Sequence, residues 1–232
     1  MKKHGKKYKN LLQELGGLQD KVWSFEEGIG AARKYSYARF DESFTVTAQV
    51  GINPEKSDHA FRGSVLLPHQ FGKQRVVAFA KGEQADLAKQ AGADFVGAEE
   101  LIAKILDGWI DFEYAVATPD LMGMVGQTAK ILGPKGLLPT KKNNTVALQL
   151  EPVIKELKSG LRFFKNTRDA HVHFTIGKKS QTDRQLYDNL VEFVRQLAAS
   201  RPSAAKGVFI KSLHLSTTMG LSMRLNVNEI NK

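Results

Sequence analysis

The sequence predicts an α/β protein of two domains, a small doubly wound α/β unit inserted into a split βαβ sandwich that both ends of the chain build together. Three observations predict it. At 232 residues the chain exceeds the ~100–150 at which single domains peak. Its middle carries short, continuous apolar runs alternating with helical stretches, as buried parallel strands and their crossovers do. Its ends carry apolar/polar alternation instead, as strands with one wet face do.

The start, Met1-Lys-Lys-His-Gly-Lys-Lys-Tyr-Lys, is basic, but Asn10-Leu-Leu-Gln-Glu-Leu-Gly-Gly supplies no signal-peptide apolar region of ~7–15 residues. The first 22 residues are therefore expected to form a mobile, basic, cytoplasmic arm. A helix is expected from Phe25 to Tyr37, with Ser24-x-x-Glu27 as its capping box. A strand follows, with Phe44, Val46, Ala48 and Val50 inward and Thr45, Thr47 and Gln49 outward.

In the middle, Arg75-Val-Val-Ala-Phe-Ala reads as a buried strand and Lys81-Gly-Glu opens a helix to Gln90. Ala93-Asp-Phe-Val gives a second strand, and Glu99-Glu-Leu-Ile-Ala-Lys-Ile-Leu a helix with Leu101, Ile102, Ile105 and Leu106 on one face. Tyr114-Ala-Val-Ala gives a third strand, after which Thr118-Pro119 starts a helix with proline at its first position. Towards the C-terminus, Val172, Phe174 and Ile176 alternate with His171, His173 and Thr175. A helix from about Asp183 to Ala199 carries Leu186, Leu190, Phe193, Val194 and Leu197, with Pro202 beyond its end. Two strands complete the sandwich: Leu213 and Leu215 alternate with Ser212, His214 and Ser216, then Met223, Leu225 and Val227 with Ser222, Arg224 and Asn226; the register around Lys211 is open. The expected boundaries are 1–67 with 160–232 for the split domain and 68–159 for the insertion.

Charge follows the same division. Residues 1–67 hold 11 basic and 8 acidic side chains, residues 68–159 hold 11 of each, and residues 160–232 hold 12 and 5, so the +10 surplus belongs to the split domain. A basic domain beside a neutral one suggests a polyanion gripped by the first, with solubilising charge as the alternative. The outward sheet face offers Thr, Gln, His, Ser, Arg and Asn but no carboxylate, a surface that tolerates phosphate and ribose; plain solvation is the alternative. With no cysteine, disulfides, thiolate zinc sites, iron–sulfur clusters and a cysteine nucleophile are excluded. Apolar runs as short as Val76–Ala80 fall far below the ~20 residues of a membrane-spanning helix, so no membrane partner is expected.

Catalytic patterns fail in turn. No G-x-G-x-x-G follows a strand, and Gly92-Ala-Asp-Phe-Val-Gly97 continues Ala98-Glu99 where a phosphate loop needs Gly-Lys-Ser/Thr. His171-x-His173 is the only close histidine pair, and no third metal ligand accompanies it. The adjacent acids Asp41-Glu42 and Glu99-Glu100 read as solvated charge rather than acid/base pairs. No enzyme, no cofactor and no metal are expected.

Between Leu121 and Leu150 lie four lysines, Lys130, Lys135, Lys141 and Lys142, and no acid. Here Gly133-Pro134-Lys135-Gly136-Leu-Leu-Pro139 reads as a glycine–proline turn presenting Lys135, or on spacing alone as a helix stop followed by a turn. Together with Phe40-Asp-Glu, Val65-Leu-Leu-Pro-His69, Phe79-Ala-Lys-Gly-Glu, Ala91-Gly-Ala-Asp-Phe-Val-Gly, Gly108-Trp-Ile-Asp-Phe, Ala117-Thr-Pro-Asp, Ala205-Lys-Gly207 and Ser216-Thr-Thr-Met-Gly220, this segment resembles, from Arg39 to Val227, the bacterial form of the large-subunit ribosomal protein one family.

The resemblance implies a split α+β (ferredoxin-like) domain and an inserted Rossmann-like domain. It implies direct binding of 23S rRNA at the mobile stalk of the large ribosomal subunit, help in releasing deacylated exit-site tRNA, repression of the protein's own operon mRNA, and a monomer when free. Phe40, Ser212 and the Thr218-Met219-Gly220 turn match the family's rRNA-contacting positions. The basic loop with Lys165, Asn166 and Arg168 falls on a further contact region, and Arg39 and His171 complete the expected RNA-binding set. Glu27 matches a residue that supports that hydroxyl network. Thr218 and Ser212 would bond ribose hydroxyls, Gly220 would admit close backbone approach, and Phe40 and Met219 would pack on sugar or base. The chain departs from the family at Leu221, usually proline, at Thr140-Lys-Lys-Asn-Asn-Thr145, and at Thr167-Arg-Asp-Ala170, usually Asp-Lys-Thr-Gly. The other readings are an RNA-binding regulator acting off the ribosome and a nucleotide-dependent enzyme.

Overall fold

The computed structural model describes residues 5–16, 21–52, 61–203, 205 and 207–231. Residues 1–4 and 17–20 of the basic arm, and Lys206, lie outside them. In chain order come α1 (Lys6–Leu15), β1 (Val22–Trp23), α2 (Phe25–Lys34), β2 (Ser43–Val50) and β3 (Arg62–Leu66). Next come β4 (Val76–Phe79), α3 (Glu83–Gln90), β5 (Phe95–Gly97), α4 (Glu99–Leu106), β6 (Tyr114–Ala117), α5 (Met122–Val125), α6 (Ala129–Lys135) and α7 (Glu151–Lys158). The chain closes with β7 (Leu161–Lys165), β8 (His171–Lys178), α8 (Asp183–Ala199), β9 (Ile210–Thr217) and β10 (Ser222–Leu225). It divides into two compact units, Met1–Phe71 with Phe163–Lys232, and Gly72–Arg162. No helix among the described residues is long and apolar enough to cross a membrane.

In the first unit one sheet runs β1-β10-β9-β2-β8. β2 pairs antiparallel with both β8 and β9, so those two run parallel with β2 between them while α8 crosses from one to the other. This is the split βαβ arrangement. α8 begins at a reciprocal cap in which the Thr182 hydroxyl accepts from the Gln185 N–H and the Gln185 side chain accepts from the Thr182 N–H. The inward residues of the four long strands are buried beneath Phe25, Ile29 and Ala32 of α2 and Leu186, Leu190, Phe193, Val194 and Leu197 of α8.

Local details differ from the sequence reading. The arm is not simply mobile: α1 places Tyr8, Leu11 and Leu12 on one helical face, and they pack against the core. α2 stops at Lys34 instead of Tyr37, because the Ala38 N–H is drawn to the carboxylate of Glu42, an acceptor that local periodicity does not contain. β3 and β7, which the pattern did not mark, pair as a two-stranded sheet. Lys211 proves to be a bulge: Gln49 pairs with Ser212 and Val50 with Ile210, which leaves the lysine as the extra residue.

The second unit is a parallel sheet in the order β5-β4-β6. β4 is buried along its whole length, as its unbroken apolar run requires. α3 and α7 pack on each other and on β4, while Leu101, Ile102 and Ile105 of α4, Val125 of α5 and Leu132 of α6 share a core with Val77 and Phe79 of β4, as the doubly wound layering that the alternation predicts requires. Pro119 opens a 3₁₀ turn that leads into α5. The Gly133-Pro134 pair makes no turn, since α6 runs through it to Lys135 and ends at Gly136, whose φ of +73° is left-handed. The N–H of Leu137 donates to Leu132 and that of Gly136 to Gly133, a Schellman stop in which Leu137 packs on the core containing Leu132. Pro134 lacks the N–H that would reach back to the Lys130 carbonyl, and the helix ends within two residues of it.

Candidate nucleic-acid interface

Strand register turns the outward positions of the large sheet into a grid. Across one row lie His171, Gln49 and Ser212; across the next His173, Thr47, His214 and Arg224; across a third Thr175, Thr45, Ser216 and Ser222. None is a carboxylate, as expected. The Ser212 hydroxyl donates to Gln49 Oε1 at 3.2 Å, and Thr47 Oγ1 lies 3.1 Å from His173 Nδ1. The His171 and His173 rings stack with centroids 6.3 Å apart and planes 8° from parallel. Burial first, then the Arg224 charge and His171, push the His214 pKa below the ordinary imidazole value. The shift favours the neutral ring, in which one nitrogen donates and the other accepts. Such a face offers hydrogen bonds of both senses to sugar and base, with positive charge from Arg224.

The residues singled out from sequence for RNA contact fall towards opposite ends of this face. At one end, where β2 begins and β9 finishes, Phe40 is 53% and Met219 48% exposed, and Arg39 and Thr218 are exposed beside them. At the other end, Lys165 and Arg168 are exposed and His171 and Ser212 half-buried. The eight residues of β2 separate the two ends by roughly 24 Å at ~3.4 Å per residue. Asn166 is committed internally: its Oδ1 accepts from the Phe61 N–H at 2.9 Å, and its Nδ2 donates to the Thr167 carbonyl at 3.4 Å. Ala170 holds a left-handed φ of 56°, so the loop keeps the turn a glycine would favour. Gly133, Pro134, Lys135, Gly136 and Pro139 belong to the other unit, with Pro139 buried and Lys135 exposed.

The turn at Thr218 is built from within. Its Oγ1 accepts from the Ser43 N–H at 3.1 Å and donates to the Ser43 carbonyl at 3.4 Å, which leaves a single lone pair for a ligand. A Cβ on Gly220 would collide with Thr217 Oγ1, so packing demands glycine here before any RNA approaches.

Glu42 corrects the reading of Asp41-Glu42 as solvated charge. Asp41 accepts from the N–H and hydroxyl of Ser180, while Glu42 is fully buried. Glu42 Oε1 accepts from the Ala38 N–H at 2.9 Å and Oε2 from the Met219 N–H at 3.4 Å. Burial alone would raise its pKa. The Thr217 hydroxyl, the Ala38 and Met219 N–H groups and the Ser36 hydroxyl outweigh that and hold it below the ordinary glutamate value, although neither hydroxyl reaches full hydrogen-bond geometry. The signal was parity: Glu42 shares the inward phase of Phe44, Val46, Ala48 and Val50. By contrast Glu27 is exposed and only half of its capping box forms. The Ser24 hydroxyl accepts from the Glu27 N–H, but the Glu27 carboxylate lies 3.8 Å from Lys21 Nζ. Among the described residues, the carboxylate at the Thr218-Met219 turn is that of Glu42.

A depressed folded pKa means that the stabilisation from Glu42 is complete above the unfolded value, ~4.3, and is lost as pH falls through the folded one. Glu42→Gln is therefore expected to lower stability by about 1–3 kcal/mol at pH 7, with the gap from wild type closing as pH falls through the folded value. Urea denaturation at each pH measures it, and a gap that widens in acid would contradict the assignment.

Residues 32–221 match the family described as the Ribosomal protein L1p/L10e family. Among curated relatives, Large ribosomal subunit protein uL1 of Thermus thermophilus is 46% identical over 97% of this chain and 99% of its own. The protein of that name from Lawsonia intracellularis is 43% identical over 100% of this chain and 98% of its own. That from Desulfotalea psychrophila is 41% identical, over 97% and 96%.

Proposed function

The chain belongs to the Ribosomal protein L1p/L10e family, and on that premise we propose that it is a structural constituent of the large ribosomal subunit which binds 23S rRNA directly at the mobile stalk. It would act on the cytoplasmic ribosome, as a monomer before assembly, without catalysing a reaction. The observation that carries the reading is the carboxylate-free sheet face, with exposed Phe40 and Met219 at one end and exposed Lys165 and Arg168 at the other. Hydroxyls, amides and imidazoles suit ribose and base edges, aromatic and thioether groups suit stacking and packing, and the basic loop suits phosphate. The same face would bind a structure in the protein's own operon mRNA that mimics the stalk, and so repress its translation. The inserted unit would travel with the stalk and help deacylated tRNA leave the exit site.

A salt titration of binding to a stalk fragment of large-subunit rRNA, against an unrelated hairpin of equal length, tests the reading. Tight, stalk-selective binding that weakens with salt is expected, its slope giving the number of phosphates neutralised. Equal and weak binding to both RNAs would overturn it. In the same assay Thr218→Ala and Met219→Ala are each expected to lose about 1–3 kcal/mol of stalk affinity, the scale of single base and stacking contacts. Wild-type affinity in both would remove that turn from the interface.

A further inference from the structure

An acid beside an RNA-binding face repels the ligand, unless its charge is taken up by the protein. Glu42 is buried, and its two oxygens are divided between two loops. Oε1 holds the Ala38 N–H, at the root of the loop carrying Arg39 and Phe40, and Oε2 holds the Met219 N–H in the turn after β9. The next residue, Ser43, exchanges hydrogen bonds through its backbone with the Thr218 hydroxyl. Two loops that lie about 180 residues apart along the chain thus meet on one carboxylate, and each carries an exposed side chain, Phe40 in one and Met219 in the other. An acceptor with two oxygens is the simplest group able to clamp two N–H donors from different directions. Its negative charge strengthens both bonds, and its burial keeps that charge away from phosphate.

The geometry points to Glu42 as a positioning residue of the RNA interface, one that fixes Phe40 and Met219 at a set separation so that both engage the same RNA segment. It makes no contact with RNA itself. The assignment rests on the reading above, that this face binds stalk rRNA.

Affinity for the stalk fragment would be measured for wild type, Glu42→Gln and Glu42→Ala, and for each substitution combined with Phe40→Ala and Met219→Ala, at a temperature where circular dichroism shows every variant folded. Glu42→Ala is expected to weaken binding about tenfold, and Glu42→Gln, which keeps one acceptor oxygen, about threefold. In the Phe40→Ala, Met219→Ala background the same substitutions are expected to add less than about twofold, since the groups that Glu42 places are gone. A merely structural role predicts the opposite, an undiminished loss in both backgrounds, and that result overturns the assignment. Wild-type affinity in folded Glu42→Ala overturns it too. If Glu42→Ala does not fold, Glu42→Gln carries the same comparison. A wild type that does not distinguish the stalk from the hairpin removes the underlying reading and this assignment with it; a selective wild type with an insensitive Glu42→Ala removes the assignment alone.

Discussion

Phe193→Ala is expected to lower the stability of the first unit by about 3–5 kcal/mol, the range for truncating a fully buried phenylalanine. The ring is wholly inaccessible. It stacks on Phe174 of β8 with centroids 4.4 Å apart and planes 5° from parallel, and the Phe164 ring of β7 meets it edge-on at 5.8 Å. It therefore joins α8 to the strand that supplies His171 and His173, and truncation leaves a cavity bounded by other rings and a sheet that relax only in part. Urea denaturation followed by far-ultraviolet circular dichroism measures the loss. The inserted unit has a core of its own around Phe79, Ile105 and Leu132, so a fluorescence signal from Trp109 in that unit is expected to keep its transition. A loss under about 1 kcal/mol, well below the range for truncating a buried phenylalanine, would mean that the aromatic cluster is not the keystone its geometry describes.

Thr45→Glu is expected to weaken stalk-rRNA binding about 100-fold, close to 2.7 kcal/mol, with the fold intact. Thr45 is half-buried in the row of the polar face nearest the Phe40 and Met219 end, opposite Thr175 on β8 and Ser216 on β9. A carboxylate there introduces negative charge into a surface that has none, where phosphate or ribose would lie, and repulsion adds to the loss of a hydroxyl. The control is Thr45→Val, which removes the hydroxyl without adding charge and is expected to stay within about fivefold of wild type. Glutamate in a central strand carries a propensity cost of up to ~1 kcal/mol, so thermal midpoints are compared alongside. If Thr45→Glu binds within about threefold of wild type while remaining folded, the RNA lies elsewhere and the sheet face is only solvated.

Much of the candidate interface was legible because the information was local. Phase alone separates Thr45 and Thr47 from Val46 and Ala48, and His171 and His173 from Val172 and Phe174, so the polar face was present in the letters. Phe40 and Met219 were marked by resemblance, and both are exposed. Asn166 was marked in the same way, yet its amide is spent on Phe61 and Thr167, a commitment that rests on a partner 105 residues away. Glu42 was passed over because two adjacent acids usually diverge into solvent, and the N–H groups that make its burial tolerable come from two distant segments of backbone.

The sequence by itself determined the two-part architecture, the parallel and half-exposed strands, the basic character of the split part and the absence of acids on one sheet face. Periodicity, apolar run length and charge count are properties of neighbouring residues, and burial acts on them one strand or helix at a time. The tertiary structure alone decided that Glu42 lies inside, that Lys211 is a bulge, that α6 continues through Pro134, and that Phe40 and Met219 share one end of the sheet face. Each of these depends on which distant N–H, carbonyl or side chain fills a polar atom's hydrogen-bonding capacity once water is excluded, and no window of consecutive residues contains that partner.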